Sequence, residues 1–131
     1  MRPRRSALYM PAANMRAMDK ARELQCDAII FDLEDAVAVA SKEQARRNVA
    51  QQIAAGGYGQ RELIIRVNGL DTPWGSEDLR ACARLPIDAL LFPKVFSRTY
   101  VEEIDALVQE HNPDLPIWIM IETPTALIDM E

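Results

Sequence analysis

Four apolar runs in this chain end in the same way, on charged or hydrogen-bonding side chains. Ala28-Ile29-Ile30-Phe31 runs into Asp32, Glu34 and Asp35; Leu63-Ile64-Ile65 into Arg66 and Asn68; Ala89-Leu90-Leu91-Phe92 into Lys94; and Ile117-Trp118-Ile119-Met120-Ile121 into Glu122. Near-continuous aliphatic runs of this length fit strands covered on both faces, as in a parallel sheet wrapped by helices, since a face left to water would impose alternation. The polar residues then fall at the carboxyl ends of strands, where parallel α/β folds place their chemistry.

The segments between these runs carry helix signals. Ser41-Lys42-Glu43-Gln44 has the form of a capping box, and Ala45, Val49 and Ile53 follow at helical spacing until Gly56-Gly57, which predicts a helix over most of 41–55. Ser76 is placed to cap a shorter helix through Leu79, Cys82 and Ala83. Ser97 precedes another, with Val101, Ile104, Leu107 and Val108 as its buried stripe and Asn112-Pro113 as its end. Asn14 opens a helix from about Met15 to Leu24, and Thr123-Pro124 reads as a cap followed by proline at the first helical position, starting a helix that runs to Glu131. With Ala7-Leu8-Tyr9-Met10 as a first strand, β and α alternate through five strands, which leaves an open doubly wound sheet or a (β/α)8 barrel. Neither the dinucleotide fingerprint nor a P-loop is present to favour the open sheet.

Composition narrows the class. The 131 residues are 49% hydrophobic and 27% charged, an ordinary globular balance of about one domain's length. A formal net charge of −5 argues against a nucleic-acid partner. Arg2, Arg4 and Arg5 cluster at the start, but the apolar stretch after them is too short for a signal peptide and is broken by Pro11, so a cytoplasmic protein without a membrane span is expected. Cys26 and Cys82 lack metal-ligand spacing and read as reduced packing residues.

Residue chemistry at the strand ends suggests a site. Glu122, rigidly placed after an apolar run, suits a hard divalent cation such as Mg²⁺, which binds through one or two carboxylates plus substrate oxygens. Arg66 offers a planar fork for a substrate carboxylate, and Asn68 on the same side adds an amide donor. Asp32, Glu34 and Asp35 repel one another unless a cation or proton is shared, and Lys94 is placed to neutralise them from a neighbouring strand. Simpler roles compete: Lys94 or Arg66 can pair with an adjacent acid, and Asp35 can cap or bridge the next helix. His111 sits in a polar helix end and is expected to be solvated. Trp74 is either a loop anchor or the wall of a ligand pocket.

Taken in order, Arg5-Ser6-Ala7-Leu8-Tyr9-Met10-Pro11, Phe31-Asp32-Leu33-Glu34-Asp35-Ala36-Val37, Arg66-Val67-Asn68, Thr72-Pro73-Trp74, Pro93-Lys94-Val95 and Ile121-Glu122-Thr123-Pro124 resemble the successive signatures of the citrate lyase β-subunit family. This is the branch of the HpcH/HpaI aldolase superfamily that includes citryl-CoA and malyl-CoA lyases. The resemblance spans nearly the whole chain. It implies a TIM barrel, of which residues 1–131 would hold about the first five strands as the amino-terminal portion of one lyase domain. It also implies Mg²⁺-dependent cleavage or formation of a carbon–carbon bond in a short hydroxyacyl thioester of coenzyme A or an acyl carrier protein, giving an acetyl thioester and an oxo acid.

By the same resemblance Glu122 would be a metal ligand and Arg66 would hold the carboxylate of an oxo acid such as oxaloacetate or glyoxylate. Cleavage of this kind leaves negative charge on an enolate oxygen, which a cation and an arginine clamp stabilise where water is excluded. Glu34 and Asp35 would fix metal-bound waters or Lys94, and Arg5 would lie near the approach of the thioester. A homotrimer or hexamer is implied. The chain departs from the family in carrying Ala12-Ala13-Asn14 where glycine commonly follows the first proline. The family's second metal-binding carboxylate is an aspartate on a sixth strand, so 131 residues alone are expected to bind Mg²⁺ weakly and to show no lyase turnover. The alternatives are a class II pyruvate aldolase acting on free hydroxy acids and a truncated noncatalytic subunit.

Overall fold

A computed structural model describes residues 2–128. Its strands are β1 (Ala7–Pro11), β2 (Ala28–Asp32), β3 (Glu62–Arg66), β4 (Ala89–Phe92) and β5 (Ile117–Ile119). All pair in parallel, in the order β1-β2-β3-β4-β5. Each strand thus lies beside its sequence neighbour with no reversal, which is the path of a closing (β/α)8 barrel; a doubly wound sheet reverses at its switch point. The connections carry helices α1 (Met15–Ala21), α2 (Lys42–Ala55), α3 (Gly75–Cys82) and α4 (Arg98–His111), and α5 (Pro124–Ile128) follows β5. No helix among the described residues is long and apolar enough to cross a membrane.

The expectation of strands covered on both faces holds, and the packing shows what covers each face. Ile29, Phe31, Ile65, Leu90 and Phe92 face the helices and form one core with Met18, Val49, Leu79, Ile104 and Val108. Ala28, Ile30, Ile64, Ala89 and Leu91 form a second core made of strand residues alone, with Trp118 and Met120 packed against it. The strands read as continuous apolar runs because their second face is a barrel interior and not a second helical layer.

Helix starts divide between side-chain and backbone devices. The Asn14 side chain accepts from Ala17 N at 3.0 Å, Ser97 Oγ from Tyr100 N at 3.2 Å, and Thr123 Oγ1 from Ala126 N at 3.2 Å, as the spacing predicts. Ser41 makes no capping bond; a 3-10 turn over Val39–Ser41 leads into α2 instead. Likewise α3 starts at Gly75 with Trp74 before it, so Ser76 lies inside the helix. That early start needs glycine, since a Cβ at residue 75 would run into the Gly69 carbonyl. α1 ends at Ala21, short of Leu24, and β5 ends at Ile119, two residues before its apolar run does. The α5 expectation beyond Ile128 lies outside the described residues.

At the amino-terminal ends of the strands, each arginine of the initial cluster meets an acid. Arg5 binds both oxygens of Asp27 just before β2, Arg4 forks onto both oxygens of Glu62 at the start of β3, and Arg2 reaches Asp88 just before β4 at 2.9 Å. The segment from Arg2 to Ser6 thereby ties three strand starts together. Neither cysteine is in a disulfide; Cys82 is buried, and burial pushes its thiol up, while Cys26 is half-buried. His111 closes α4, partly exposed, as expected.

Candidate functional site

Strand register creates the centre of the site. Asp32 and Arg66 are direct partners across β2 and β3, both on the interior face at the carboxyl ends. Arg66 Nε donates to Asp32 Oδ1 at 2.8 Å and Nη2 to Oδ2 at 2.7 Å. Each Asp32 oxygen takes a second bond from the main chain, Oδ1 from Glu34 N at 2.9 Å and Oδ2 from Ala36 N at 3.0 Å. Burial opposes the Asp32 charge, but Arg66 and the two N–H groups outweigh it and hold the carboxyl below its ordinary value. The Arg66 pKa is raised, mainly by its hydrogen bond to Asp32.

This geometry refines the expectation for Arg66. Its side-on edge belongs to Asp32, so only the remaining edge is open to a ligand. Nη1 makes a sulfur contact with Met120 at 3.7 Å and lies 3.5 Å from Glu34 Oε1, and Tyr9 covers the guanidinium with its ring centroid 5.0 Å away. A guanidinium can hold one carboxylate side-on and another end-on, so the pairing with Asp32 fixes the group without exhausting it.

Glu34 Oε1 is the one buried side-chain oxygen or nitrogen among the described residues without a hydrogen-bond partner. Its Oε2 is bound by the Lys94 ammonium, which also reaches Asp35 Oδ1 at 3.2 Å. Lys94 therefore neutralises the acidic cluster from β4, as the sequence suggests. Burial lifts the Glu34 carboxyl above its ordinary value, with Lys94 opposing and Asp35 adding to the rise. The hydrogen bonds to Glu34 and Asp35 raise the Lys94 pKa. Lys94 N donates to Glu122 Oε1 at 2.8 Å, while Glu122 Oε2 has no hydrogen bond among the described residues.

Two expected substrate contacts have other partners in the fold. Asn68 is buried, and its Nδ2 donates to Leu33 O at 3.0 Å and to Asp78 Oδ2 at 2.6 Å, so its amide donors hold the β3 exit in place. Arg5 lies at the opposite end of the strands, on Asp27, because it precedes β1; it is not at the site. Asp32, expected as one of three acids in a cluster, is specifically the anchor of Arg66, and Lys42 is a site member that the sequence does not single out. Lys42 is 7% exposed, and its ammonium donates to Leu33 O at 3.0 Å and Glu34 O at 2.8 Å and sits 5.2 Å from the Trp74 ring centroid. A polar-first-turn position on α2 gave no signal that this lysine turns inward. Desolvation lowers its pKa, with the nearby acids opposing. Trp74, Lys42, Glu34, Asn68 and Lys94 line a cavity of about 380 Å³, so Trp74 walls a pocket.

The fit to a divalent cation can be judged on these donors. No group of three or more His, Cys, Asp or Glu residues among the described residues is arranged to hold a metal. Mg²⁺ asks for less, taking one or two carboxylates and completing its shell with water and substrate oxygens. Glu122, with one oxygen held and one open at a strand end, fits as one such ligand.

Residues 5–131 match the family model described as HpcH/HpaI aldolase/citrate lyase. The chain is 49% identical over 127 residues to a (3S)-malyl-CoA thioesterase of Cereibacter sphaeroides strain KD131, covering 97% of this chain and 43% of that protein. It is 37% identical over 109 residues to the citrate lyase subunit beta of Leuconostoc mesenteroides subsp. cremoris, covering 83% of this chain and 36% of that protein. Among solved structures, the citrate lyase beta subunit of M. tuberculosis complexed with oxaloacetate and magnesium superimposes with a TM-score of 0.72 at 26% identity, over 93% of this chain and 49% of that one. The chain thus spans less than half the length of these relatives.

Proposed function

The chain belongs to the HpcH/HpaI aldolase/citrate lyase family, and on that premise we propose that it forms the amino-terminal portion of one TIM-barrel domain of a Mg²⁺-dependent carbon–carbon lyase. The substrate is a short hydroxyacyl thioester of coenzyme A or an acyl carrier protein, and the products are an acetyl thioester and an oxo acid. The observation that carries the reading is Arg66, pinned along one edge by buried Asp32, with Nη1 of its other edge 3.5 Å from Glu34 Oε1, an oxygen that has no hydrogen bond. A relative complexed with oxaloacetate and magnesium supports an oxo acid as its ligand.

In this reading Arg66 holds the oxo-acid carboxylate end-on, with Tyr9 over the face of the guanidinium. Lys94 holds Glu34 and Asp35 in place, and Lys42 fixes the main chain on which Glu34 is carried. Mg²⁺, held in part by Glu122, supplies Lewis-acid polarisation of a ligand oxygen when bound. A homotrimer or hexamer belongs to the same proposal, with light scattering as its test.

Titration calorimetry with oxaloacetate or glyoxylate in the presence of Mg²⁺ tests the reading. Saturable binding is expected, weakened at least about tenfold in Arg66→Met, in keeping with loss of a charge-assisted bidentate contact. Binding unchanged in Arg66→Met overturns it. A second reading, hydrolysis of the thioester, is favoured by the relative named as a malyl-CoA thioesterase. Malyl-CoA given to the complete barrel discriminates: glyoxylate and acetyl-CoA report the lyase, malate and free coenzyme A report the thioesterase.

A further inference from the structure

Lys94 has φ +50°, the one positive value at a non-glycine position among the described residues. The left-handed region crowds a Cβ against the backbone, and a lysine is held there only where its surroundings over-determine it. Three bonds do so. Met120 N donates to Phe92 O at 2.9 Å, Lys94 N to Glu122 Oε1 at 2.8 Å, and Thr123 Oγ1 to Val95 O at 2.8 Å, so residues 92–95 are laced to the β5 exit on both sides of the turn. The Lys94 side chain meanwhile runs the other way, past β3 to Glu34 and Asp35. The unusual main chain lets one residue serve carboxylates on opposite sides of it, one through N–H and two through the ammonium.

We propose that Lys94 is the positioning residue for Glu122, and that its left-handed main chain, not its ammonium, performs this role. The N–H of residue 94 occupies Glu122 Oε1 and fixes the carboxylate, which leaves Oε2 as the oxygen available to a divalent cation. The ammonium has the separate task of neutralising Glu34 and Asp35. The inference rests on the reading of Glu122 as a metal ligand, and it concerns how this chain prepares that ligand.

Three substitutions separate main chain from charge. Lys94→Gly adopts the left-handed region freely and keeps the N–H; Lys94→Met keeps the stem without the charge; Lys94→Val resists the region because its Cβ is branched. Hydrogen-exchange protection of the residue-94 amide, read by NMR, is expected to persist in Lys94→Gly and Lys94→Met and to fall in Lys94→Val to the level of Glu122→Ala. Mn²⁺ affinity, with Mn²⁺ standing in for Mg²⁺, is expected to stay within about threefold of the parent in Lys94→Gly and to drop about tenfold or more in Lys94→Val, the scale of losing a group that orients a metal ligand. Circular dichroism confirms folding of each variant, and a Lys94→Val chain that does not fold leaves the decision to Lys94→Gly against Lys94→Met. Lys94→Gly and Lys94→Met losing Mn²⁺ affinity alike would assign the role to the ammonium and overturn the proposal. So would amide protection that is unaffected by Glu122→Ala. If the parent chain binds no Mn²⁺, amide protection decides alone: the expected order supports the positioning of Glu122, and any other order overturns it.

Discussion

At the amino-terminal ends of the strands, Arg2, Arg4 and Arg5 meet Asp88, Glu62 and Asp27 one to one. At the carboxyl ends, Arg66 and Lys94 share Asp32, Glu34, Asp35 and Glu122 between them. The first set is saturated. Both oxygens of Asp27 and of Glu62 accept from an arginine, and Asp88 divides its oxygens between Arg2 and the Leu63 N–H. The second set is uneven: Asp32 accepts four bonds, whereas Glu34 Oε1 and Glu122 Oε2 accept none among the described residues. Saturated pairs fix strand ends; oxygens left open beside fixed cations retain the capacity to meet a ligand. That division matches the general split of parallel barrels into a stabilising face and a chemical face.

The largest effect expected is that of Asp32→Asn, which tests whether the one saturated acid at the carboxyl end is the anchor of the rest. Arg66 is 11% exposed at its side chain and would lose half of its partner's charge-assisted bonding. Breaking a buried pair from one side typically costs about 3 kcal/mol or more. Denaturant unfolding should show that loss, and oxaloacetate binding should weaken with it because Arg66 is no longer aimed. A cost smaller than that of Glu62→Gln would break the comparison.

Glu62→Gln probes the other end. The Arg4 side chain is half exposed although Glu62 is buried, so solvent screens the pair. A lowering of Tm by a few degrees is expected, shrinking at high salt, with binding of oxaloacetate unchanged. Loss of binding in this variant would show that the two ends are not separable.

Sequence reveals this layout incompletely, for physical reasons. The strands and the pairing of Lys94 with the acidic cluster follow from apolar runs and charge placement, whereas the choice of a barrel over an open sheet comes from the family resemblance. The Asp32–Arg66 pair depends on β2–β3 register, which no local pattern encodes, so pairing of Arg66 with an adjacent acid stands in the sequence only as one of two roles, with the acid unnamed. Asn68 has the right chemistry for a ligand, yet a buried Asp78 on α3 claims its amide, a contact between segments that only packing brings together. Arg5 was assigned to the site by resemblance alone, although a residue that precedes a first strand starts at the opposite end from the site. Ser41 and Ser76 carry capping chemistry at positions where a 3-10 turn and a glycine contact had already set the helix start.

Acid titration compares the ends more finely. Arg5 hydrogen bonds hold the Asp27 carboxyl at about 2, below its ordinary 3.8. A depressed folded-state pKa means that the unfolded chain takes up the proton first, so the stabilising contribution is present above about pH 4 and is lost as pH falls toward 2. The stability difference between the parent chain and Arg5→Ala should therefore shrink across that interval. A difference that is flat there would remove Asp27 from the set of anchors.

Glu34→Gln should give the smallest change in stability and the opposite sign of pH dependence. Burial raises the Glu34 carboxyl above its ordinary value, so its contribution is fully present below about pH 4.5 and declines as pH rises through the raised value. The Glu34 carboxyl is buried with Oε1 lacking a hydrogen bond, 3.5 Å from Arg66 Nη1, and its main partner Lys94, more than half exposed, is resolvated when the charge is removed. Gln in its place is therefore expected to leave unfolding free energy at pH 7 unchanged or raised by less than about 1 kcal/mol, while oxo-acid binding falls. A residue that the fold can lose and the ligand cannot is what the open oxygen at the carboxyl end predicts, and a destabilisation at pH 7 equal to that of Glu62→Gln would place Glu34 among the anchors instead.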